Sequence, residues 1–249
     1  MKKILKALGL LILVSGIILA ILAWWAHQPR PVGHSPEQAD QLANKMLTAI
    51  NAPAWDTTHW VQWTFRGARD FLWDKQRHFV QVRWGDHEVL LHTKTVTGKA
   101  FTNGTPVTGS EADELIQTAW AHFCNDSFWL NAPAKVFDPG TERHLATTDD
   151  GRQGLLVTYT SGGVTPGDAY LWHLDATGLP VSYQMWVNII PIGGLEFSWE
   201  DWTTLDGGAR IAQFHRSSLL EIPIENGRAA TDWIGLQLTS DPFVALSTN

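Results

Sequence analysis

The chain has 249 residues, 18 Lys and Arg against 25 Asp and Glu, a net charge of -7 and a single cysteine, Cys124. It lacks a basic run beyond the extreme N-terminus, which argues against nucleic acid as a partner. One thiol excludes an internal disulfide and a cysteine-rich zinc site. Fourteen tryptophans against three tyrosines point to strand and core packing, or to an apolar cavity.

Lys2, Lys3 and Lys6 precede an uncharged stretch from Ala7 to Ala26. About twenty helical residues span about 30 Å, the thickness of a bilayer core. Trp24 and Trp25 stand at its far end, where aromatic belts lie, and the lysines place residues 1–6 in the cytoplasm. A cleaved signal peptide is the alternative, but its apolar core is usually shorter. The expectation is a single-pass signal anchor over residues 7–26, a short stiff tether over 27–34, and one extracytoplasmic domain over 35–249.

Ser35-Pro-Glu-Gln38 reads as a capping box opening a helix. Leu42, Ala43, Met46, Leu47 and Ile50 form its apolar stripe, and Ala52-Pro53 ends it. From His59 to Phe101 the period changes to two, the mark of a meander of about five strands. Val61, Trp63 and Phe65 share one face, as do Phe71 and Trp73 on the next strand. Asn103-Gly104 suits a type I′ turn. Ser110 caps a second helix whose stripe runs Ala112, Leu115, Ile116, Ala119, Trp120 and Phe123. It is expected to end in the segment from Asn125 to Pro133, and Asp138-Pro-Gly140 to turn the chain.

Strands follow over 143–147, 154–160, 168–174, 181–187, 194–203, 210–220 and 230–239, with turns at Gly207-Gly208 and Asn226-Gly227. In the hairpin 168–187, Tyr170, Trp172 and Leu174 lie two apart, as do Val181, Tyr183, Met185 and Val187, so each set lines one sheet face. Asp175 and Gly178 supply its turn, and Pro180 opens the returning strand. The fold class is α+β, mainly antiparallel β: roughly ten strands in a curved sheet, with two helices against it.

Two segments carry a resemblance. Asn125-Asp-Ser-Phe-Trp-Leu-Asn-Ala-Pro-Ala-Lys-Val-Phe-Asp-Pro-Gly140 is similar to a segment of bacterial proteins with a carrier-like fold. Leu174-Asp-Ala-Thr-Gly-Leu-Pro180 is similar to a turn between central strands of such proteins. With the order of elements over about residues 35–240, the chain resembles the LolA/LolB family of lipoprotein carriers. The resemblance implies a half-barrel whose concave, apolar side is closed by helices, in a bacterial envelope. A retained anchor differs from released carriers and fits a tethered acceptor or accessory on the periplasmic side of the inner membrane.

The catalytic patterns sought are missing: no nucleophile elbow, zinc helix, phosphate loop or dinucleotide fingerprint occurs. His122 and Cys124 stand two apart on a helix and so do not face each other; a small buried thiol accounts for Cys124. Glu196, Glu200 and Asp201 are the best carboxylate group, and a solvated strand face explains them better than glycosidase chemistry. The leading expectation is a non-enzymatic binding protein without cofactor or metal, holding a lipid, an acyl chain or another apolar ligand. Its expected lining is Trp63, Phe65, Phe71, Trp73, Tyr170, Trp172, Tyr183, Met185, Phe197 and Trp199, with Lys135 and Asp138 as a polar rim. The alternatives are an envelope interaction module with a solid aromatic core, meeting another envelope protein, and an envelope hydrolase.

Overall fold

A computed structural model describes residues 2–148 and 150–247; the outermost positions of the expected 1–6 and 35–249 units, Met1, Thr248 and Asn249, lie outside them. The N-terminal stretch forms α1, Lys2–Ala26. Among the described residues no helix is long and apolar enough to cross a membrane. Several α1 side chains lie outside that set, so the expected span at 7–26 stands on the sequence.

Helix α2, Pro36–Ala49, buries Ala39, Ala43 and Met46, with Ile50 just beyond its end. The expected capping box is not made. Ser35 sits in the left-handed region at φ 49° with no side-chain bond to the helix; its carbonyl instead accepts from the Ala39 N–H at 3.0 Å. Pro53 does more than end this helix. Asn51, at φ 54°, turns the corner, and Ala52 and Pro53 begin a further short helix, α3, Ala52–Thr57.

The period-two region gives the expected meander: β1 Trp60–Phe65, β2 Arg69–Asp74, β3 Phe79–Trp84, β4 His87–His92 and β5 Thr97–Thr102, with β6 Thr105–Val107 added after the Asn103-Gly104 turn. Helix α4, Ser110–Asn131, ends within the expected segment 125–133 and continues into a 3₁₀ turn, Ala132–Lys135. Asn125 and Asp126 are tolerated within it because Asp126 is fully buried and ion-paired rather than bonded to its own backbone.

The second half supplies β7 Thr141–Thr147, β8 Gln153–Tyr159, β9 Ala169–Leu174, β10 Pro180–Trp186, β11 Leu195–Ser198, β12 Glu200–Thr204, β13 Arg210–Arg216 and β14 Glu221–Ala230. There are thus fourteen strands among the described residues, not roughly ten, in two antiparallel sheets. The nine-stranded sheet runs β12-β13-β14-β1-β2-β3-β4-β5-β6, and the five-stranded one β11-β10-β9-β8-β7. The expected strand 194–203 is divided between them. It breaks at Trp199, so β11 pairs with β10 and β12 with β13, and Ser198 bonds β13 through its hydroxyl, which accepts from the Arg216 N–H at 3.0 Å.

Asn226-Gly227 is not a turn. Gln62 opposes Arg228 while Thr64 opposes Glu225, so the pair forms a bulge within β14 opposite Trp63, with Asn226 at φ 55°. The expected last strand over 230–239 is instead a series of turns after Ala230. It folds over the outer side of the nine-stranded sheet, where Leu236 and Phe243 join Trp60, Leu72 and Leu90 in a second apolar cluster.

The hairpin 168–187 forms as expected, and Tyr183 and Met185 stand opposite Trp172 and Tyr170 on one face. Val181 leaves that face, because the register slips between Pro180 and Ser182, and it is exposed. Asp175 Oδ1 closes the turn by accepting from the N–H groups of Thr177 at 2.8 Å and Leu179 at 3.0 Å. Gly178 has φ 96°, and a Cβ there would stand 2.7 Å from Lys45 Cγ. Only glycine lets this turn lie against α2, where Lys45 Nζ bonds the Ala176 carbonyl at 2.8 Å.

The expected tether, 27–34, is part of the domain. The Gln28 N–H bonds the Gly193 carbonyl at 3.0 Å, and the Gln28 carbonyl accepts from Trp186 Nε1 at 2.8 Å. Arg30 bonds the Thr158 hydroxyl, and His34 exchanges two 2.8 Å backbone bonds with Leu145.

Candidate functional site

One large cavity, of about 600 Å³, opens between the second half of α4 and the five-stranded sheet. This lies within the ~300–1,000 Å³ typical of small-molecule sites. Helix α4 contributes residues from Trp120 to Trp129, among them Phe123, Cys124 and Phe128. Strands β8, β9 and β10 contribute Tyr159, Tyr170, Tyr183 and Met185. Two loops, 161–165 and 187–190, and the segment from Lys135 to Pro139 complete the wall.

Ten aromatic and apolar side chains were expected to line such a cavity, and the structure divides them. Tyr170, Tyr183 and Met185 do line it, as do Lys135 and Asp138, paired at 2.7 Å. The other seven are not in its wall. Trp63 and Phe71 stack on each other with centroids 4.6 Å apart. Trp73 meets the edge of Phe123 at 5.1 Å. Trp172 and Trp199 cross at 4.9 Å, Phe197 meets Trp129 at 4.8 Å, and Phe65 lies under the Arg69 guanidinium at 5.0 Å. They share the right face of their strands but lie deeper, where large rings from both sheets and α4 interlock and fill the space.

The three tyrosines of the chain all stand at this cavity. Phe128 packs on Tyr170 at 4.5 Å and on Tyr159 at 5.4 Å, and Tyr170 meets Tyr183 edge-on at 5.2 Å. Burial raises the pKa of all three phenols, so each remains a neutral hydroxyl. The Tyr159 and Tyr183 oxygens are buried, with no hydrogen-bond partner among the described residues. Burial also pushes the Cys124 thiol up to about 12, the opposite of an activated nucleophile.

The segment Asn125–Gly140 builds one side of the site. Asp126 accepts from Arg69 Nε at 2.5 Å and Nη2 at 3.1 Å, and from Asn125 Nδ2 at 2.8 Å. Burial raises its pKa, and the bonds from Arg69 oppose that rise. This pair fastens α4 to β2. Gly140, at φ 83°, brings the Asp138-Pro-Gly turn against the loop 161–165: a Cβ there would stand 1.9 Å from Ser161 Oγ. The Gly140 carbonyl accepts from the Thr160 N–H at 2.7 Å. The two loops of the mouth are joined in turn by Asp168, which accepts from the Asn188 N–H at 2.9 Å and the Thr165 hydroxyl at 2.6 Å.

The other candidates lie apart. Glu196 is held on the outer face by Arg152, with two 2.9 Å contacts, and by Ser182 at 2.7 Å. That pairing lowers its pKa, so it is a bound carboxylate rather than a free one. Glu200 and Asp201 fall beyond the break at Trp199, in β12. His122 meets the edge of Trp84 at 5.4 Å. Among the described residues no three His, Cys, Asp or Glu side chains converge as metal ligands would.

Sequence periodicity missed Phe128, Cys124 and the two loops. Phe128 falls outside the stripe that ends at Phe123. The loops carry no period, but Ser161–Gly167 and Val187–Gly194 share a legible feature: neither contains a charged residue. The chain matches no family model, and no curated protein matches it.

Proposed function

We propose that this is a membrane-anchored, extracytoplasmic binding protein that holds a lipid, an acyl chain or another apolar ligand. The single observation behind this reading is the cavity of about 600 Å³ with a mainly aromatic and aliphatic wall. Each methylene transferred into such a site contributes about 0.8 kcal/mol. Tyr170 offers a neutral hydroxyl to a ligand carrying a hydrogen-bond acceptor, and the Lys135–Asp138 pair meets a polar head group at the wall. Two open antiparallel sheets sharing the broken strand 195–204 agree with a half-barrel, and so with the carrier resemblance. The uncharged run 7–26 agrees with an anchor in the inner membrane of a bacterium, with the domain in the periplasm.

Native mass spectrometry of the full chain in detergent, followed by lipid extraction, tests this reading. The expected result is a bound mass that yields a defined lipid, and reloading of the stripped protein by that lipid. A clean unliganded mass with no uptake would reject it. The seven expected lining residues that pack solidly favour a second reading, an envelope interaction module. A stable protein partner recovered by crosslinking from a lipid-free sample supports that alternative.

A further inference from the structure

The mouth of the cavity and the end of the N-terminal apolar run are joined by short, well-bonded chain. Gln28 is two residues from Ala26. It is fixed to Gly193 by the 3.0 Å backbone bond, and His27 Nδ1 accepts from the Gly193 N–H at 3.0 Å. Ile190, in the cavity wall, is three residues from Gly193. At about 3.5 Å per residue, the mouth lies within roughly 20 Å of the end of the run.

The surface around that mouth is unlike the rest. Charged residues make up 17% of the chain, yet the fifteen positions of 161–167 and 187–194 have none. Ile189 is 71% exposed and Val164 49%. Trp24 and Trp25, which close the apolar run, are 76% and 79% exposed. A protein in water rarely sets uncharged loops, bare aliphatic tips and exposed tryptophans side by side; a membrane interface is where such residues gain.

We infer that these two loops dock on the bilayer that holds the anchor, so that the cavity opens onto the membrane surface. The inference rests on the binding reading for its purpose, but not for its geometry. Ligand then passes between the bilayer and the cavity without its apolar part crossing water. The bonds of Gln28 and His27 to Gly193 set the angle of the domain, and the Asp168 bridge holds the loops as one edge.

The test is spin labelling of the full chain in phosphatidylethanolamine–phosphatidylglycerol vesicles. One label replaces Ile189 (Ile189→Cys), the other Ala176 (Ala176→Cys), each in a Cys124→Ser background. Ala176 lies at the other end of the β9–β10 hairpin, about 20 Å away along a six-residue strand. The expected result is that dissolved oxygen relaxes the Ile189 label more than a water-soluble nickel chelate does, and that the order reverses at Ala176. Equal accessibility at the two sites, or the opposite order, overturns the inference. Lipid retention is measured separately. A membrane-buried Ile189 label with an empty cavity sinks the binding reading alone; a lipid-filled cavity with a water-exposed label sinks the docking alone.

Discussion

The two ends of the interior use the same kinds of residue to opposite effect. Toward the nine-stranded sheet, large rings interlock: Trp63 on Phe71, Trp172 across Trp199, and His215 against Trp199 at 4.3 Å. A gap there, between Trp55, Trp202 and Leu130, is about 10 Å³, barely room for one water. Toward the mouth, Phe128, Tyr170, Tyr183 and Met185 border about 600 Å³. The difference lies in what faces the rings. At the filled end, rings from the two sheets and α4 interdigitate. At the open end, α4 faces the loops 161–165 and 187–190, which leave the space between them unfilled. An apolar face thus closes only where a second bulky surface meets it.

The largest expected effect is at the filled end. Trp172→Ala should lower stability by about 3–5 kcal/mol, because the void cannot collapse between rigid neighbours. Met185→Ala, beside an existing cavity, should cost about 2 kcal/mol, at the low end for such truncations. Denaturant unfolding of both variants checks the contrast; equal losses would mean that the two ends are packed alike.

The Arg69–Asp126 pair fastens α4 across both ends. Arg69→Met leaves a buried carboxylate without its cation and should cost about 3 kcal/mol. Adding Asp126→Asn should restore part of that loss, because the stranded charge is removed; a further loss in the double variant would show that the pair matters through packing instead.

Acid should weaken the filled end through His215. Burial lowers the pKa of His215 from 6.5 to about 4. Its folded-state pKa is thus below its unfolded value, so the neutral ring contributes stability fully above pH 6.5, and that contribution is lost as pH falls toward 4. The loss is on the order of 3 kcal/mol. Unfolding measured across this range should show the slope in the wild-type chain and a flatter profile in His215→Phe. An unchanged slope would assign the acid sensitivity to other groups.

The last effect is kinetic rather than thermodynamic. With its thiol pushed up from 9.0 to about 12, Cys124 should alkylate at pH 8 about a thousandfold more slowly than an open thiol. Bound lipid should slow it further. Labelling at the rate of an open thiol would mean that this wall of the cavity is freely hydrated.

The meander from Trp60 to Thr102 was legible because β1–β5 follow one another through short turns and keep one face covered. The α4 stripe and the turns at Asn103-Gly104 and Asp175–Leu179 were legible for the same local reason. The pairing that holds α4 through Asn125, Asp126 and Ser127 was not: Asp126 is buried there only because Arg69, 57 residues earlier, arrives to pair with it. Nor was the bulge at Asn226, since the same dipeptide serves a turn or a bulge according to what lies opposite.

The sequence by itself determined most of the inward-facing residues of the regular strands, Val181 excepted, because side-chain period and turn chemistry are properties of neighbouring positions. It marked the uncharged run 7–26, the motif Asn125–Gly140 and the aromatic faces of the strands. Only the tertiary structure decided which inward residues meet a partner and which border open space. That decision depends on distances between elements far apart in the chain: α4 against β10, the Gly140 turn against Ser161, and Gln28 against Gly193. Tyr170 and Trp172 have the same period and the same face, yet one lines a cavity and the other fills the core.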